Sequence, residues 1–307
     1  MKKTILLTGA TGFLGSRLLH KLLAKGIFHL VVLKRSTSNT SRIDDIIQSS
    51  ADIEYIDVDT VAENFWKKYF SQNSVDVIIH CATCYGRGSD TSITKVLESN
   101  LMYPLSLLEE AINYGLKLFI NTDSYFNKPN QTYKTLLDYS LSKKTLNLWL
   151  EYLANKVKVA NLRLEHIYGE NDSSSKFVES MIQKIAVEKV DSIALTYGQQ
   201  MRDFIYIDDV CDAYLAILDN YQKFAFHYLT FEVGTGEKCS IREFIEEIKE
   251  ISGSNTELQF GKLPYREDEI MTSSADTCFL NNLGWKSKVS VHSGLKKIID
   301  FYQKKID

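Results

Sequence analysis

The sequence predicts a doubly wound α/β fold, a parallel sheet with helices on both faces, followed by a smaller C-terminal α/β domain. Three observations predict it. Strand-like apolar runs alternate with helical periodicities through the first half of the chain, the pattern of a parallel sheet with crossover helices. The runs at residues 4–7 and 75–82 are apolar on both faces, as strands buried between two layers are. Between the first run and the first helix stand glycines spaced by three, in Thr8-Gly9-Ala-Thr-Gly12-Phe-Leu-Gly15.

Taken in order, Thr4-Ile-Leu-Leu7 reads as a buried strand, and the helix that follows carries Leu14, Leu18, Leu22 and Leu23 on one side. Bare backbone at Gly9 and Gly12 permits a sharp turn and close approach to a pyrophosphate, and Gly15 permits close packing of helix on strand. This Rossmann-type grip offers Gly9, Thr11, Gly12, Phe13, Leu14 and Gly15 to a dinucleotide. His29–Leu33 reads as the second strand, and its end reports on the cofactor. A carboxylate there would bind the ribose hydroxyls of NAD, whereas Lys34-Arg35-Ser36 suits the extra phosphate and favours NADP(H) over NAD(H). Ile53–Ile56 is a third strand, with Asp57-Val58 beside the expected adenine. The strand at 75–82, a helix from Ile93 to Tyr114, a strand at 117–121, a helix from Leu136 to Asn155 and a strand at 157–164 complete the pattern.

The chain has 307 residues, 44% apolar and 24% charged, with a net charge of -3, enough for one large unit or two modest domains. No apolar run approaches the roughly 20 residues of a membrane span. Five scattered cysteines fit reduced thiols in a cytoplasmic protein, and Cys81-x-x-Cys84 lacks the second ligand pair of a zinc site, so no metal is expected. The mildly acidic balance excludes a nucleic-acid partner.

A second constellation is Tyr139-Ser-Leu-Ser-Lys143, opening a helix after a strand that ends in Asn121-Thr122-Asp123-Ser124. Tyrosine and lysine four apart share a helical face, so the ammonium can lower the phenol from its ordinary pKa of about 10 and fit it for proton transfer.

By these residues the chain resembles the extended short-chain dehydrogenases/reductases of the NAD-dependent epimerase/dehydratase family over essentially its whole length. The T-G-x-x-G-x-x-G, Asp57-Val58, Asn100, Tyr139/Lys143, Gln200-Met-Arg202-Asp-Phe, Phe231-Glu-Val-Gly234-Thr-Gly236 and Leu283-Gly-Trp285 fall in family order. Within the family, Cys84-Tyr-Gly-Arg87, Leu164-Glu-His-Ile-Tyr-Gly169 and the segment Leu263–Met271 are most similar to the CDP-abequose/CDP-paratose synthase subgroup. Those enzymes reduce a CDP-4-keto-3,6-dideoxyhexose at C4.

The resemblance implies domains at 1–168 and 169–307, with a segment near 204–230 crossing back to the first. It implies Tyr139, Lys143 and a hydroxyl from Ser124 or, in the alternative register, Thr122 as the catalytic groups. Counting from the Gly115 turn favours Ser124. It adds Cys81, Ala82 and Asn100 to the cofactor contacts, with Tyr139 and Lys143 shared, and Tyr85, Arg87, His166, Lys176, Arg202 and Arg266 to the substrate contacts. His166 departs from the family, which carries Asn there, and Ser124 stands where dehydratases carry a Glu base. The implied activity is NADPH-dependent reduction of a nucleotide-linked 4-keto-6-deoxysugar for surface-polysaccharide (O-antigen) synthesis; the alternatives are an epimerase or dehydratase, then a non-catalytic cofactor sensor.

A homodimer is implied through the helix after the fourth strand and the catalytic helix, with Leu101, Leu105, Leu108 and Ile112 in one and Leu146, Trp149 and Leu153 in the other. Asp208 and Asp209 read as structural, Asp208 as the cap of a helix reaching Asn220. Ser240-Ile-Arg-Glu243 reads as a capping box before the apolar stripe Phe244, Ile245, Ile248 and Ile251.

Overall fold

The structure, a computed structural model, describes residues 2–49, 53–86, 92–129 and 136–306. The chain divides into two compact units, residues 1–163 with 214–231 and residues 164–213 with 232–307. The division falls at 163/164, where the sequence placed it at 168/169, and the returning segment begins at Tyr214 rather than near 204.

In the first unit, β1 (Lys3–Thr8), α1 (Phe13–Ala24), β2 (Phe28–Lys34), α2 (Asp44–Ser49), β3 (Ile53–Asp57), α3 (Phe65–Gln72) and β4 (Val77–His80) follow one another. Next come α4 (Ile93–Leu97), a π-helical turn (Glu98–Met102), α5 (Tyr103–Asn113), β5 (Leu118–Ser124), α6 (Leu137–Leu153) and β6 (Lys158–Leu164). The seven-stranded sheet runs β3, β2, β1, β4, β5, β6 and then the strand Tyr228–Val233. Its order reverses between β1 and β4, the place where such sheets bind ligands. Register sets Thr8 opposite both Leu33 and His80, and His80 opposite Asn121. The next residues, Gly9, Lys34, Cys81 and Thr122, therefore emerge in one row at the carboxyl edge.

Burial explains the strands. Ile5, Leu6, Leu7, Ile78, Ile79, Phe119 and Ile120 have no exposed surface, as expected between two layers. Tyr69 and Phe70 of α3, Leu107 and Leu108 of α5 and Leu146 and Leu150 of α6 pack with Leu6, Val31, Ile78 and Phe119 in one core.

That packing corrects the expected dimer stripe. Leu108 and Leu146 are fully buried, and Leu101, Leu105, Ile112 and Leu153 pack on the same core, so of the seven only Trp149 stands exposed. The apolar residues turned outward are Leu137, Leu141, Leu148, Trp149 and Tyr152 on α6, with Ile93 and Leu97 on α4 and Met102 in the π turn.

In the second unit, His166–Tyr168 pairs in parallel with Phe204–Tyr206, and Met201–Arg202 pairs antiparallel with Cys239–Ser240. The helix Ile241–Ser252 opens with the expected capping box and ends at Gly253 in the left-handed region, φ +59°. It buries Phe244, Ile245 and Ile248, and the Phe244 ring stacks on Phe204 at 3.8 Å. The helix Ile207–Asn220 begins one residue before Asp208, which lies in its first turn rather than capping it. Asp209 is the structural tie: its Oδ2 accepts the N–H groups of Lys288 and Val289, both at 2.9 Å. No helix among the described residues is long and apolar enough to cross a membrane.

A Cβ at Gly15 would lie 2.7 Å from the Gly9 carbonyl carbon and 2.9 Å from the Ala10 Cα, both backbone atoms that side-chain motion cannot move aside. Gly15→Ala is expected to cost about 1–3 kcal/mol, read as a Tm several degrees lower. Gly12→Ala, which meets only the Gly9 oxygen at 3.2 Å, should cost less. Equal Tm values for the two variants would contradict this packing.

Candidate active site

The row of residues at the carboxyl edge begins with the glycine turn. Gly9 has φ +73°, and a Cβ there would come within 2.5 Å of the Ala82 amide nitrogen, so β1 and the segment after β4 approach as closely as backbones can. The Thr8 hydroxyl reinforces the approach, accepting the Ala82 N–H at 3.1 Å and bonding His80 Nδ1 at 2.9 Å. Gly12 N donates to Gly9 O at 3.0 Å, closing the turn. Gly12 is exposed at the N-cap of α1 and offers no side chain to the first-turn N–H groups. Thr11, Phe13 and Leu14 frame that end. A bare cradle facing an uncapped helix N-terminus fits a dinucleotide pyrophosphate. Arg42 was not legible in the sequence; its Nη1 donates to Thr11 O at 3.5 Å, beside the same turn.

At the end of β2, Lys34 forms an ion pair with Asp57, which stands opposite it in β3, and Val58 N donates to Lys34 O at 2.8 Å. Ser36 donates to Asp59 from its backbone N at 2.8 Å and from Oγ at 2.7 Å, and these bonds lower the Asp59 carboxyl below its ordinary value. Two of the three groups that the sequence assigned to a 2′-phosphate are thus engaged by carboxylates. The Arg35 side chain is exposed.

The structure brings Ser124, Tyr139 and Lys143 together. Tyr139 is 5% and Lys143 1% exposed, one turn apart on α6. Lys143 Nζ donates to Thr122 O at 2.8 Å, which fixes α6 against β5. Ser124 lies beside the Tyr139 phenol, whereas the Thr122 hydroxyl is turned to Tyr214 Oη at 2.7 Å and Cys81 Sγ at 3.5 Å. Burial pushes the Tyr139 phenol well above its ordinary value, and the nearby Tyr85 and Asp123 add to the shift. The sequence expected the phenol to be lowered by Lys143; in the structure burial raises it. Burial draws Lys143 down to about 8, against the pull of Asp123 and Cys81.

The loop after β4 is held from the helix side. Asn100, in the π turn, is fully buried; its Oδ1 accepts Cys84 N at 2.7 Å, and its Nδ2 donates to Cys84 O at 2.8 Å and to Ser142 Oγ at 3.0 Å. Asn100 therefore clasps the loop. A π turn adds one residue per turn, which re-aims a side chain without ending the helix. The clasp leads to Tyr85, whose ring stacks on Tyr139 at 4.8 Å and 20°. Arg87 lies outside the described residues.

In the second unit, Arg202 is 5% exposed; its Nη1 donates to Met201 O at 3.0 Å, and its Nη2 pairs with Glu269 at 2.6 Å. Arg266 is exposed three residues before Glu269. His166 Nδ1 stands 3.8 Å from Glu165, its ring edge-on to Phe204, and burial holds its pKa below the ordinary value, so it is neutral at pH 7. Lys176 is at the N-cap of the helix Phe177–Ile182.

The chain is 36% identical to a CDP-abequose synthase of Salmonella muenchen over 97% of this chain and 98% of that one. It is 32% identical to the CDP-abequose synthase of Salmonella typhimurium over 97% and 98%. Among solved structures, UDP-glucuronic acid 4-epimerase from Bacillus cereus in complex with UDP-glucuronic acid and NAD superposes with a TM-score of 0.81 at 25% identity, covering 98% of this chain and 99% of that one. UDP-glucose 4-epimerase from Thermotoga maritima gives 0.82 at 24%, covering 99% and 100%. The profile of the NAD dependent epimerase/dehydratase family matches residues 5–234, and the chain belongs to that family, as an enzyme of the nucleotide-sugar oxidoreductase type.

Proposed function

We propose that this enzyme is an NADPH-dependent reductase of the C4 keto group of a nucleotide-diphosphate-linked 4-keto-6-deoxysugar. The proposed substrate is a CDP-linked 3,6-dideoxyhexose, made for a surface polysaccharide (O-antigen), and the enzyme acts as a cytoplasmic homodimer. The observation that carries the reading is the 36% identity over nearly the whole chain to an enzyme named CDP-abequose synthase, in a chain that buries Tyr139 and Lys143 one turn apart on α6. The 36% and 32% identity to enzymes named CDP-abequose synthase supports the substrate class.

When bound, the dinucleotide supplies the hydride that reaches C4. Tyr139 delivers its phenolic proton to the C4 oxygen, which completes the alcohol and leaves a phenolate. Ser124 donates a hydrogen bond to the same oxygen and aligns it. The Lys143 ammonium stabilises the phenolate and would hold the nicotinamide ribose when the dinucleotide is bound. Thr122 does not take the place of Ser124, because its hydroxyl is bonded to Tyr214. Dehydration would need a base where Ser124 stands. In the second unit, Arg202 and Arg266 bind the nucleotide diphosphate, with His166 and Lys176 beside it, by charge-assisted bonds of the kind guanidinium makes with phosphate.

NADPH is proposed over NADH on Arg35, since Lys34 and Ser36 are held by Asp57 and Asp59. The dimer is proposed on the outward apolar face of α6 with Ile93, Leu97 and Met102.

Three outcomes are expected. Tyr139→Phe should lower kcat for reduction of a CDP-4-keto sugar by about three orders of magnitude or more while still binding NADPH, as loss of a general acid implies. Near-wild-type turnover would reassign the proton donor, and a wild-type enzyme that oxidises no added NADPH on CDP-, GDP-, UDP- or dTDP-linked 4-keto sugars would favour the epimerase. Arg35→Ala should raise KM for NADPH about ten-fold, corresponding to about 1.4 kcal/mol, with KM for NADH nearly unchanged; equal losses with both would remove Arg35 from the phosphate. Trp149→Glu should turn dimers into monomers in sedimentation at micromolar concentration, and a monomeric wild type would reject the interface.

A further inference from the structure

The Asp123 carboxylate is 2% exposed, and the reaction above does not use it. Four side chains converge on it. Asn127 Nδ2 donates to Oδ1 at 2.7 Å, Asn147 Nδ2 and Asn161 Nδ2 donate to Oδ2 at 2.8 and 3.2 Å, and Arg163 Nε lies 3.5 Å from Oδ2. Every partner is a donor, which is the hydrogen-bonding pattern of an ionised carboxylate, an acceptor only. A full negative charge is therefore built into the interior of the first unit, where charges act far more strongly than in water.

The chemistry beside it is that of Lys143. The ammonium donates to the carbonyl of Thr122, the residue before Asp123, and Asn147, one turn after Lys143 on α6, is one of the three amides that donate to Asp123. Helix and strand are thus joined at two successive turns, the second through the carboxylate. The other titratable groups facing Lys143 are His80 and Cys81 from β4 and its continuation, and Tyr139 on its own helix. Burial holds His80 neutral, pushes the Cys81 thiol up to about 11 and holds Tyr139 protonated. Of these groups Asp123 exerts the strongest pull on Lys143, and its shell of amide donors is that of a carboxylate anion.

We propose that Asp123 is a positioning residue of the reductase site: its buried carboxylate is the counter-charge that keeps Lys143 an ammonium and, through Asn147, sets the register of α6 against β5. This rests on the reading of Tyr139 and Lys143 as the reacting pair. Burial has already drawn Lys143 down to about 8. Without Asp123 the lysine would lose its proton near or below neutral pH and could no longer stabilise the phenolate. Arg163 works in the opposite sense, because its guanidinium shares the charge that Lys143 needs.

The test is the titration of Lys143 in the dinucleotide-free protein, followed by NMR of 13Cε-labelled lysine and assigned by the signal lost in Lys143→Met. The wild-type midpoint is expected at about 8. Asp123→Asn should lower it by about one unit or more, the range for removal of an adjacent opposite charge. Arg163→Gln should raise it, and Asn147→Ala should lower Tm with little change in the midpoint. In the active enzyme the basic limb of kcat/KM should move the same way, since the protonated lysine is present below its midpoint and lost above it. An unchanged midpoint in Asp123→Asn overturns the proposal even if Tm falls. Should that variant fail to fold, Arg163→Gln decides, an upward shift supporting the proposal and an unchanged or lowered midpoint overturning it. The readout needs no substrate, so an enzyme inert toward every 4-keto sugar would refute the reductase reading and leave this result standing.

Discussion

Two strands of a sheet are separated by their hydrogen bonds, but at the carboxyl edge of β1 the backbones come closer than any side chain would allow. Gly9 lies against Ala82, and Gly15 of α1 lies against Gly9. The approach sets the rest of the first unit. It brings the N-terminus of α1 over the sheet at the point where strand order reverses, it leaves the first-turn amides facing outward, and it places Cys81 and Ala82 beside the turn. Thr8 locks it through Ala82 and His80. A Cβ at Gly15 would lift helix from strand, and one at Gly9 would push the turn away from Cys81 and Ala82.

A different device organises the second unit, where carboxylates gather backbone N–H groups. Asp203, fully buried, accepts the N–H groups of Thr235, Gly236 and Ala275 at 2.8, 2.9 and 3.0 Å, and the Thr235 hydroxyl at 2.7 Å. Burial raises the Asp203 carboxyl and these bonds oppose the rise. Gly234 is bare because a Cβ there would meet Ala275 Cβ at 2.7 Å. Asp209 gathers Lys288 and Val289 in the same way. The motif Met201-Arg-Asp-Phe thus combines two ties in adjacent residues: Arg202 pairs with Glu269, and Asp203 holds the loops that surround its own strand.

What could be read from the sequence is what is decided locally. The glycine spacing, the Ser240–Glu243 box and the alternation of strand and helix depend on neighbours a few residues away, and each is found in the structure. The partners of Lys34 and Ser36 were not legible, because Asp57 and Asp59 lie 23 residues further on and meet them only once β2 and β3 pair. Arg42 gave no signal for the same reason. The leucines of α5 and α6 misled because helical spacing finds an apolar face but does not say whether sheet or solvent lies opposite. Nor could the sequence show that the Thr122 hydroxyl turns to Tyr214, 92 residues away.

The π turn at Glu98–Met102 has a further consequence for binding. By presenting both hydrogen-bonding edges of its amide to the backbone of Cys84, Asn100 does for the loop after β4 what a neighbouring strand would do in a sheet. Tyr85 is thereby carried by a helix rather than by a free loop. The backbone freedom of that segment is surrendered when the chain folds, at about 1–2 kcal/mol per residue. A ligand seated against the Tyr85 and Tyr139 rings meets a surface already in place, and its affinity is not reduced by the entropy of arranging it.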